Sequence, residues 1–549
     1  MKRAFPVPVV AAMLLLASCG NGAPDDVTDI SGVEMPVLLR EIINANRARI
    51  FAPPDPNFWE IAAGLLTGDF DHEEDLRIAA AVRELAGRHG TFFGAREYPS
   101  GVPAGSVTSE QAAEDIHYFF DILRYGYTGY GYFGGDPVFR PMRDAMLAQL
   151  REMGDIIAND DFLALLSRPL QDVIFDSHFT MHTIRFAAPS HATYMNDDFI
   201  TRRAADSSFE MMIYGAAYKI LEIAYDDGTP ADCLVPTITQ DGEVAFALGV
   251  LAESARYGRE ISSINVTLLL ENVATGAIIS HGLALNRVNT PWLYDERPLE
   301  ERPPFEERRI GGITVLENRH LWGAWNDAWE MLGVHRAYYE AGESMRGRPA
   351  LILDMRWNYG GSSLLGLEWV RGFTGRDPAE LGLLPFVLWT LAGHELGQAY
   401  YPSIDEVAFD FLPWSQSLGN EWLANPDRRA KWFFPEYPDW KAIANESLVI
   451  VLTDSSVSSA GEVFLSELMQ MENVVVIGTN TAGVKLTGGI IRTALPNSNL
   501  ETQFGSLTLS LRPDFSQHEG VGYPPDLWVH PRNSMERALA FIERHGIPR

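Results

Sequence analysis

A buried strand that runs into a serine-rich turn and then a helix limits most strongly what this chain can fold into. Residues 448–452 (LVIVL) are five consecutive apolar residues, a pattern typical of a strand buried on both faces of a sheet. Four serines lie between positions 455 and 459, and the apolar residues of 463–469 then recur at helical spacing. We therefore predict a strand–turn–helix unit in a sheet that is covered by helices.

The last of these serines, Ser459, has two interpretations. A hydroxyl in the first turn of a helix lies near free backbone N–H groups and the positive end of the helix dipole, which could stabilise the oxyanion of an acyl-transfer reaction. The serines could instead only cap the helix, since serine is a preferred N-cap residue. This stretch alone leaves both interpretations open.

The net charge argues against one class of partner. The 549 residues include 43 Lys and Arg against 73 Asp and Glu, a formal net charge of -30. Such a surface would repel a polyanion, so we expect no nucleic-acid partner. We attribute the acidity to solubility, and the length is sufficient for about two to four domains.

The first residues are predicted to be a targeting signal. Two basic residues precede an apolar core at 9–17 that is too short to span a bilayer, and Cys19 follows. This pattern resembles the lipobox of bacterial lipoproteins, in which the cysteine is lipidated. Residues 1–18 are thus interpreted as a lipoprotein signal peptide and 19–34 as a tether, with a plain secretory signal as the alternative. We expect an extracytoplasmic protein, lipid-anchored to a bacterial membrane on its periplasmic or cell-surface side.

Cysteine usage predicts neither a disulfide nor a metal site. With Cys19 lipidated, Cys233 has no partner for a disulfide within the chain. The sequence contains no Cys/His cluster, HExxH motif or clustered acidic motif, so we expect no metal and no cofactor.

Hydrophobic periodicity divides the rest of the chain into three parts and a linker. Helical patterns dominate 35–195, including an amphipathic run at 141–157. Strand patterns separated by turn residues predict a β-rich domain at 211–289. A segment rich in Pro, Glu and Arg at 290–309 is interpreted as a linker, and strands alternate with helices over 310–549. The predicted fold class is therefore α/β and multi-domain.

A loop rich in tyrosine and glycine interrupts the helical part at 125–135 (YGYTGYGYFGG). It could line a substrate cleft. It could equally be a packed surface loop, and we favour that interpretation because the sequence shows no partner for it.

Four ordered motifs lie in the last part of the chain. They are Asp-x-Arg-x-Asn-x-Gly-Gly at 354–361, Ser-Ala-Gly-Glu at 459–462, Gly-x-x-Thr-x-Gly at 478–483 and Glu-Gly-x-Gly-x-x-Pro-Asp at 519–526. Together they resemble the C-terminal-processing (tail-specific) serine protease family, which includes the tricorn protease core. The resemblance implies an α/β catalytic core of crotonase-like type at 310–549. The start of 211–289 is weakly similar to a PDZ domain.

The resemblance also implies roles for named residues. Ser459 would be the nucleophile. The backbone N–H groups of Ala460 and of Gly360 or Gly361 would form the oxyanion hole, and glycine allows such a close approach of the backbone.

The resemblance leaves two candidates for the base that activates Ser459. One branch of the family uses a lysine directly after Thr-x-Gly, but Val484 occupies that position here and Lys485 follows one residue later. In an extended segment such a shift turns the side chain to the other face. The tricorn-like branch uses a Ser-His pair and a glutamate, which here match Ser177, His178 and Glu519. We favour His178, because an imidazole titrates near neutral pH, and Lys485 remains the alternative base.

The predicted function is that of a lipid-anchored serine endopeptidase. It would cleave flexible polypeptides outside the cytoplasm through an acyl-enzyme on Ser459, without a metal or other cofactor. Two alternatives stay open. One is a serine esterase, which would use the same nucleophile. The other is a catalytically inactive peptide-binding lipoprotein on the same scaffold, suggested by the displaced Lys485 and by Trp357 where many relatives carry a small residue.

Overall fold

The computed structural model describes residues 35–66, 70–89, 105–256, 259–288, 305–322, 328–378, 383–400, 427–435 and 441–548, together with residues 303, 422, 424, 425 and 437. Its helices are α1 (Val37–Ile50), α2 (Phe58–Leu66), α3 (His72–His89), α4 (Ser109–Gly126), α5 (Asp136–Leu150), α6 (Asn159–Gln171), α7 (Ala328–Met345), α8 (Ser363–Thr374), α9 (Leu391–Tyr400), α10 (Ala460–Leu468) and α11 (Ser534–Arg544). Its strands are β1 (Ser106–Thr108), β2 (Ile156–Ala158), β3 (Asp176–Met181), β4 (Ile184–Phe186), β5 (His191–Arg203), β6 (Phe209–Ile213), β7 (Ala216–Tyr225), β8 (Leu234–Ile238), β9 (Val244–Glu253), β10 (Ala255–Arg256), β11 (Arg259–Glu260), β12 (Ser263–Asn272), β13 (Ile278–Arg287), β14 (Glu306–Ile310), β15 (Ile313–Glu317), β16 (Ala350–Asp354), β17 (Leu384–Trp389), β18 (Lys431–Phe433), β19 (Leu448–Thr453), β20 (Val474–Gly478), β21 (Thr487–Ala494), β22 (Glu501–Leu511) and β23 (Leu527–Trp528).

A six-stranded sheet forms the centre of the last part of the chain. Its strand order is β14-β15-β16-β19-β20-β23, in which β14 is antiparallel to β15 and the remaining pairs are parallel. Every residue of β16, β19 and β20 is buried, as expected for strands covered on both faces. The predicted α/β class is confirmed. Since β16 and β19 are parallel neighbours, the turns that follow them leave from the same edge of the sheet.

Helices cover both faces of this sheet. On one face Val451 packs in a cluster with Phe464 of α10 and with side chains of α7 and α8. On the other face Ile450 packs in a cluster with Leu39 of α1 and Phe541 of α11. Alternate residues of one strand thus point to two different cores, because successive side chains leave a strand on opposite faces.

Helix α1 belongs to the predicted helical part but lies on this C-terminal sheet. Arg47 of α1 donates two hydrogen bonds of 2.9 Å to the two carboxylate oxygens of Asp526, and both side chains are buried. A bidentate pair of this kind fixes orientation as well as distance. The segments at 35–195 and 310–549 are therefore packed together through α1.

A second sheet joins the same two parts of the chain. Its order is β18-β17-β22-β3-β4, and β21 pairs with β22. Strand β3 pairs antiparallel with β22, with Thr180 opposite Gln503. Helices α4, α5 and α6 pack against this sheet in one cluster that includes Phe179 and Phe504. This pairing brings the segment around position 178 beside the C-terminal core.

The predicted β-rich part is a seven-stranded antiparallel sheet. Its order is β13-β12-β7-β6-β5-β9-β8, and a further pairing of β13 with β5 closes five of the strands into a ring. Between 191 and 288, the residues that the structure describes form strands and no helix. The sheet begins at His191, before the predicted start at position 211. The domain boundaries and the PDZ-like interpretation stay predictions.

One predicted element differs from the structure, and other predicted segments lie outside the described residues. The amphipathic run at 141–157 is not one helix, since α5 ends at Leu150 and Ile156–Ala158 form β2, which pairs with β1. The periodicity continues because both elements face the same core. The predicted signal peptide and tether at 1–34, and most of the linker at 290–309, lie outside the described residues.

None of the helices in the described ranges is both long enough and apolar enough to cross a lipid bilayer.

Candidate active site

Ser459 lies at the sharp turn between β19 and α10. Its backbone has φ 53° and ψ -121°, a conformation that L-residues rarely adopt and that costs on the order of 1–3 kcal/mol. Its backbone N–H donates a hydrogen bond of 3.2 Å to Glu462, in the first turn of α10. The predicted strand–turn–helix unit is confirmed, and Ser459 is the residue that precedes the helix.

The structure brings His178 to Ser459. Nε2 of His178, which lies on β3, is 3.2 Å from Oγ of Ser459. The side-chain amide of Gln503 on β22 donates to the backbone carbonyl of His178 at 3.2 Å, so strand pairing and this side chain hold the histidine in place. A base within hydrogen-bond reach of a serine hydroxyl is the geometry that nucleophilic catalysis requires.

The surroundings of His178 favour its neutral form. Burial lowers the pKa of His178, the charge of Asp176 raises it, the charge of Lys485 lowers it, and the result lies below the ordinary value. For Nε2 to accept a proton, the neutral ring must carry its own proton on Nδ1. The nearby backbone of Thr487 also raises the pKa of His178, while Nδ1 has no hydrogen-bond partner among the described residues.

Glu519 lies beside this pair but reaches His178 only through the neighbouring residue. Oε1 accepts the backbone N–H of Ser177 at 2.8 Å, and Oε2 accepts the N–H groups of Lys485 and Leu486 at 3.0 and 2.9 Å. Burial and then the charge of Asp176 raise the pKa of Glu519 to about 7. Glu519 therefore binds the backbone N–H of Ser177, next to His178, and not the imidazole of His178.

The alternative base, Lys485, is also part of this region. Its backbone N–H donates to Glu519, while the N–H of Val484 donates to Glu462 at 2.7 Å. The N–H groups of Gly483 and Val484 both bind Glu462, whereas those of Lys485 and Leu486 both bind Glu519, so the backbone passes from one carboxylate to the other between Val484 and Lys485. The charge of Lys485 lowers the pKa of His178 and thereby favours the neutral imidazole.

The predicted oxyanion donors lie around Ser459, and the structure separates Gly360 from Gly361. The N–H of Gly360 donates to Oδ1 of Asn358 at 2.8 Å and is thereby occupied. Within the described part of the chain, the N–H groups of Gly361 and Ala460 donate no hydrogen bond to another residue. A Cβ atom on Gly360 would lie 2.9 Å from the nitrogen of Ala460, so the turn after β16 directly contacts the turn between β19 and α10. Gly361 and Ala460 are thus the donors available to an oxyanion.

Two buried carboxylates of the site were not predicted. Oδ1 of Asp176 accepts the backbone N–H of His178 at 2.9 Å. Oδ2 of Asp176 accepts the hydroxyl groups of Tyr127 and Thr487 at 2.9 and 2.8 Å. The second is Glu462, which accepts the N–H of Ser459. Asp176 directly precedes Ser177 and Glu462 ends the Ser-Ala-Gly-Glu motif, but nothing in the sequence distinguishes a buried carboxylate from an exposed one.

The loop at 125–135 is packed, as favoured from the sequence, but it also contributes to the site. Tyr127 is fully buried and its hydroxyl contacts Asp176 behind His178. Burial and the neighbouring Asp176 raise the pKa of Tyr127 well above its ordinary value, which keeps the hydroxyl a donor.

Glu462 also has a histidine neighbour. Nε2 of His518 lies 3.2 Å from Oε1 of Glu462, and both side chains are buried. Burial alone would raise the pKa of Glu462, but His518 and the hydrogen bonds that Glu462 accepts bring it below its ordinary value. Glu462 is therefore an anion that accepts hydrogen bonds and cannot donate them.

No cluster of three or more His, Cys, Asp or Glu side chains arranged to hold a metal ion occurs within the described ranges. Cys233 is a buried free thiol in the seven-stranded sheet, and burial raises its pKa to about 11.

Comparisons with known proteins show distant structural likeness and no sequence match. The sequence matches no protein-family model and no curated protein. The structure is similar to mature CPAF, with a TM-score of 0.37 and 13% identity over 80% of this chain and 96% of that chain. It is also similar to the photosystem II D1 C-terminal processing protease, with a TM-score of 0.33 and 14% identity over 79% and 98% of the two chains. For the tricorn protease the TM-score is 0.29 and the identity 13%, over 79% of this chain and 37% of that chain. At these TM-scores the likenesses carry no argument about activity.

Proposed function

We propose that this protein is a serine-type peptidase that cleaves flexible polypeptides through an acyl-enzyme on Ser459. The observation that carries the proposal is the 3.2 Å contact of Nε2 of His178 with Oγ of Ser459, at a strained residue that begins a helix. A helix cap needs no base, whereas a nucleophile does. The resemblance of the four motifs to the tail-specific proteases supports a polypeptide as the substrate.

The first half of the reaction forms the acyl-enzyme. Oγ of Ser459 attacks the scissile carbonyl carbon while Nε2 of His178 accepts the hydroxyl proton, and the new C–O bond places negative charge on the carbonyl oxygen. The N–H groups of Ala460 and Gly361 stabilise this oxyanion. His178 then donates the proton to the amide nitrogen as the C–N bond breaks, and the amine leaves.

The second half returns the enzyme to its starting state. Water attacks the ester carbonyl while His178 accepts one of its protons, and the same N–H groups stabilise the second oxyanion. The ester C–O bond breaks as His178 gives the proton back to Oγ of Ser459. The products are a carboxylic acid and the amine released earlier, and no oxidant or metal takes part in the proposed steps.

The alternative of an inactive binding scaffold was suggested by the displaced lysine and by Trp357. The position of His178, 3.2 Å from Ser459, argues against the first reason, because it offers Ser459 a base other than Lys485. Trp357 has a left-handed backbone conformation, and its backbone N–H donates to Oδ1 of Asp454 at 3.2 Å. The centre of its ring lies 5.9 Å from that of Tyr359. A tryptophan at this position is therefore compatible with an intact turn.

The proposal includes an extracytoplasmic location with a lipid anchor on Cys19. It is supported by the lipobox-like pattern in the first 19 residues. A full-length protein produced in bacteria should partition into the detergent phase and carry a lipid on Cys19, whereas Cys19→Ser should appear in the aqueous phase. Equal partitioning of the two proteins would refute the anchor without affecting the proposed chemistry.

The experiment for the proposed chemistry combines labelling with substrate profiling. The mature protein is treated with a fluorophosphonate probe and the modified residue is mapped, with Ser459→Ala as the control. We expect modification at Ser459 in the wild type and none in the variant. An unfolded polypeptide and a p-nitrophenyl ester are then compared as substrates. A wild type that is labelled but hydrolyses only the ester would be a serine esterase, and a wild type that is neither labelled nor active would be a binding scaffold.

A further inference from the structure

The five consecutive residues 483–487 each donate a hydrogen bond to a buried carboxylate. These residues are named segment 483–487. The N–H groups of Gly483 and Val484 bind Glu462 at 2.9 and 2.7 Å, those of Lys485 and Leu486 bind Glu519 at 3.0 and 2.9 Å, and the hydroxyl of Thr487 binds Asp176 at 2.8 Å.

The same three carboxylates also bind the backbone of the two catalytic groups. Glu462 accepts the N–H of Ser459, Glu519 accepts that of Ser177 and Asp176 accepts that of His178. Segment 483–487 is thus linked to the nucleophile at one end and to the base at the other. Hydrogen bonds to an ionised group such as Glu462 are stronger than neutral ones, and all of these bonds lie in a buried region where water does not weaken them.

We propose that Glu462 and Asp176 are positioning residues that set the distance from Ser459 to His178 through segment 483–487. This inference rests on the proposed function. Neither side chain contacts the reacting atoms. Each accepts the backbone N–H of a reacting residue, together with N–H or hydroxyl groups of residues that lie beside it. Glu462 holds the strained backbone of Ser459, and Asp176 holds the backbone of His178.

The partners of the two carboxylates differ in a way that makes the proposal testable. Glu462 accepts three backbone N–H groups, two of them on Oε2 and one on Oε1. A glutamine would place its NH₂ group against at least one N–H donor in either orientation. Asp176 accepts one backbone N–H on Oδ1, and the partners of Oδ2 are hydroxyl groups, which can also accept. An asparagine can therefore replace Asp176, whereas a glutamine cannot replace Glu462.

The first comparison is Glu462→Gln against Glu536→Gln. Both residues are the third of a helix, in α10 and α11, but Glu536 is exposed. We expect the rate constant for fluorophosphonate labelling of Ser459 to fall at least about 100-fold in Glu462→Gln, because displacing a reacting group by about 1 Å has an effect of that size. With a peptide substrate kcat should fall and KM should stay the same. Glu536→Gln should match the wild type.

The second comparison is Asp176→Asn against Asp176→Ala. We expect the asparagine variant to retain labelling within about tenfold of the wild type, a change equivalent to the net contribution of one hydrogen bond. The alanine variant should lose at least about 100-fold, because the N–H of His178 is then left without its acceptor. A purely structural role for Asp176 would lower the stability of the alanine variant without this rescue of the labelling rate.

Three outcomes would overturn the inference. One is a folded Glu462→Gln protein that is labelled at the wild-type rate. The second is an asparagine variant of Asp176 that is no faster than the alanine variant. The third outcome applies if Glu462→Gln does not fold. The variant Glu462→Asp keeps the carboxylate beside His518 but has a side chain shorter by one methylene. Labelling of this variant at the wild-type rate would refute the proposal. A wild type that is not labelled at all overturns the proposed function as well, so the two failures are distinguishable.

Discussion

Nε2 of His178 lies 3.2 Å from Oγ of Ser459, although 281 positions separate the two residues in the chain. The pairing of β3 with β22 creates this proximity, because it places a strand from the first third of the chain in a sheet with the C-terminal core. The two side chains of the proposed catalytic pair therefore come from two distant segments of the chain.

Replacing the base should nearly abolish activity. We expect His178→Ala to lower kcat/KM about 10³- to 10⁴-fold, as loss of a general base does when the oxyanion donors remain. His117→Ala is the matched control, since His117 is an exposed histidine on α4. Steady-state kinetics on an unfolded polypeptide measure both. A His178→Ala protein within tenfold of the wild type would exclude this histidine as the base.

Replacing Lys485 should change the pH profile more than the maximum rate. The charge of Lys485 lowers the pKa of His178, so Lys485→Met should raise that pKa. Activity requires the neutral imidazole, and the acid limb of the kcat/KM profile should therefore move to higher pH. At the plateau the loss should stay below about 100-fold, the smallest effect expected for removal of a general base. A greater loss, with His178→Ala nearly active, would identify Lys485 as the base.

The raised pKa of Glu519 predicts a pH-dependent stability. Glu519 has a pKa of about 7 in the folded protein against about 4.3 when unfolded, so the folded state binds more protons between these values. The stability contributed by this group is full below about pH 4.3 and is lost as the pH rises towards 7, by on the order of 3 kcal/mol. Glu519→Gln does not titrate. We expect the free energy of unfolding of the wild type to fall relative to this variant between pH 4.5 and 7.5 in urea denaturation, and a constant difference would contradict the prediction.

Removing the hydroxyl of Tyr127 should destabilise the protein. The Tyr127 hydroxyl donates to Asp176 at 2.9 Å in a fully buried position. Tyr127→Phe removes a hydrogen bond to a charged group, for which we expect a loss of about 1.5–3 kcal/mol in the free energy of unfolding. Tyr214→Phe is the control, because Tyr214 is 99% exposed, and it should have no effect. Equal stability of the two variants would mean that the buried hydrogen bond contributes nothing.

A side chain at Gly360 should displace the nucleophile. A Cβ there would lie 2.6 Å from the carbonyl oxygen of Ser458 and 3.0 Å from Cβ of Ser459. Gly360→Ala should therefore lower the labelling rate of Ser459 at least about 100-fold. Gly347→Ala is the control, since Gly347 has a similar φ of 77° against 84° but no atom within 4 Å of the added Cβ. If both variants label equally, backbone strain rather than the steric contact accounts for any loss.

Much of the fold could be predicted from the sequence. The five apolar residues at 448–452 form β19, and the residues after the serine-rich turn form α10, because a strand and a helix are specified by side chains a few positions apart. The resemblance to the tail-specific proteases also predicted Ser459, His178 and Glu519 as members of one candidate site. The lipobox-like pattern around Cys19 stays a prediction from sequence alone.

The tertiary structure decided what each of these residues contacts. The sequence could not show that Glu519 binds the backbone N–H of Ser177, that Gly360 gives its N–H to Asn358, or that Glu462 and Asp176 are buried acceptors. Hydrogen-bond partners depend on the direction of each N–H group after distant segments have packed together, and that direction is not encoded by local periodicity. The sequence thus determined the elements and the types of reactive groups, and the packing of β3 and segment 483–487 against α10 determined their geometry.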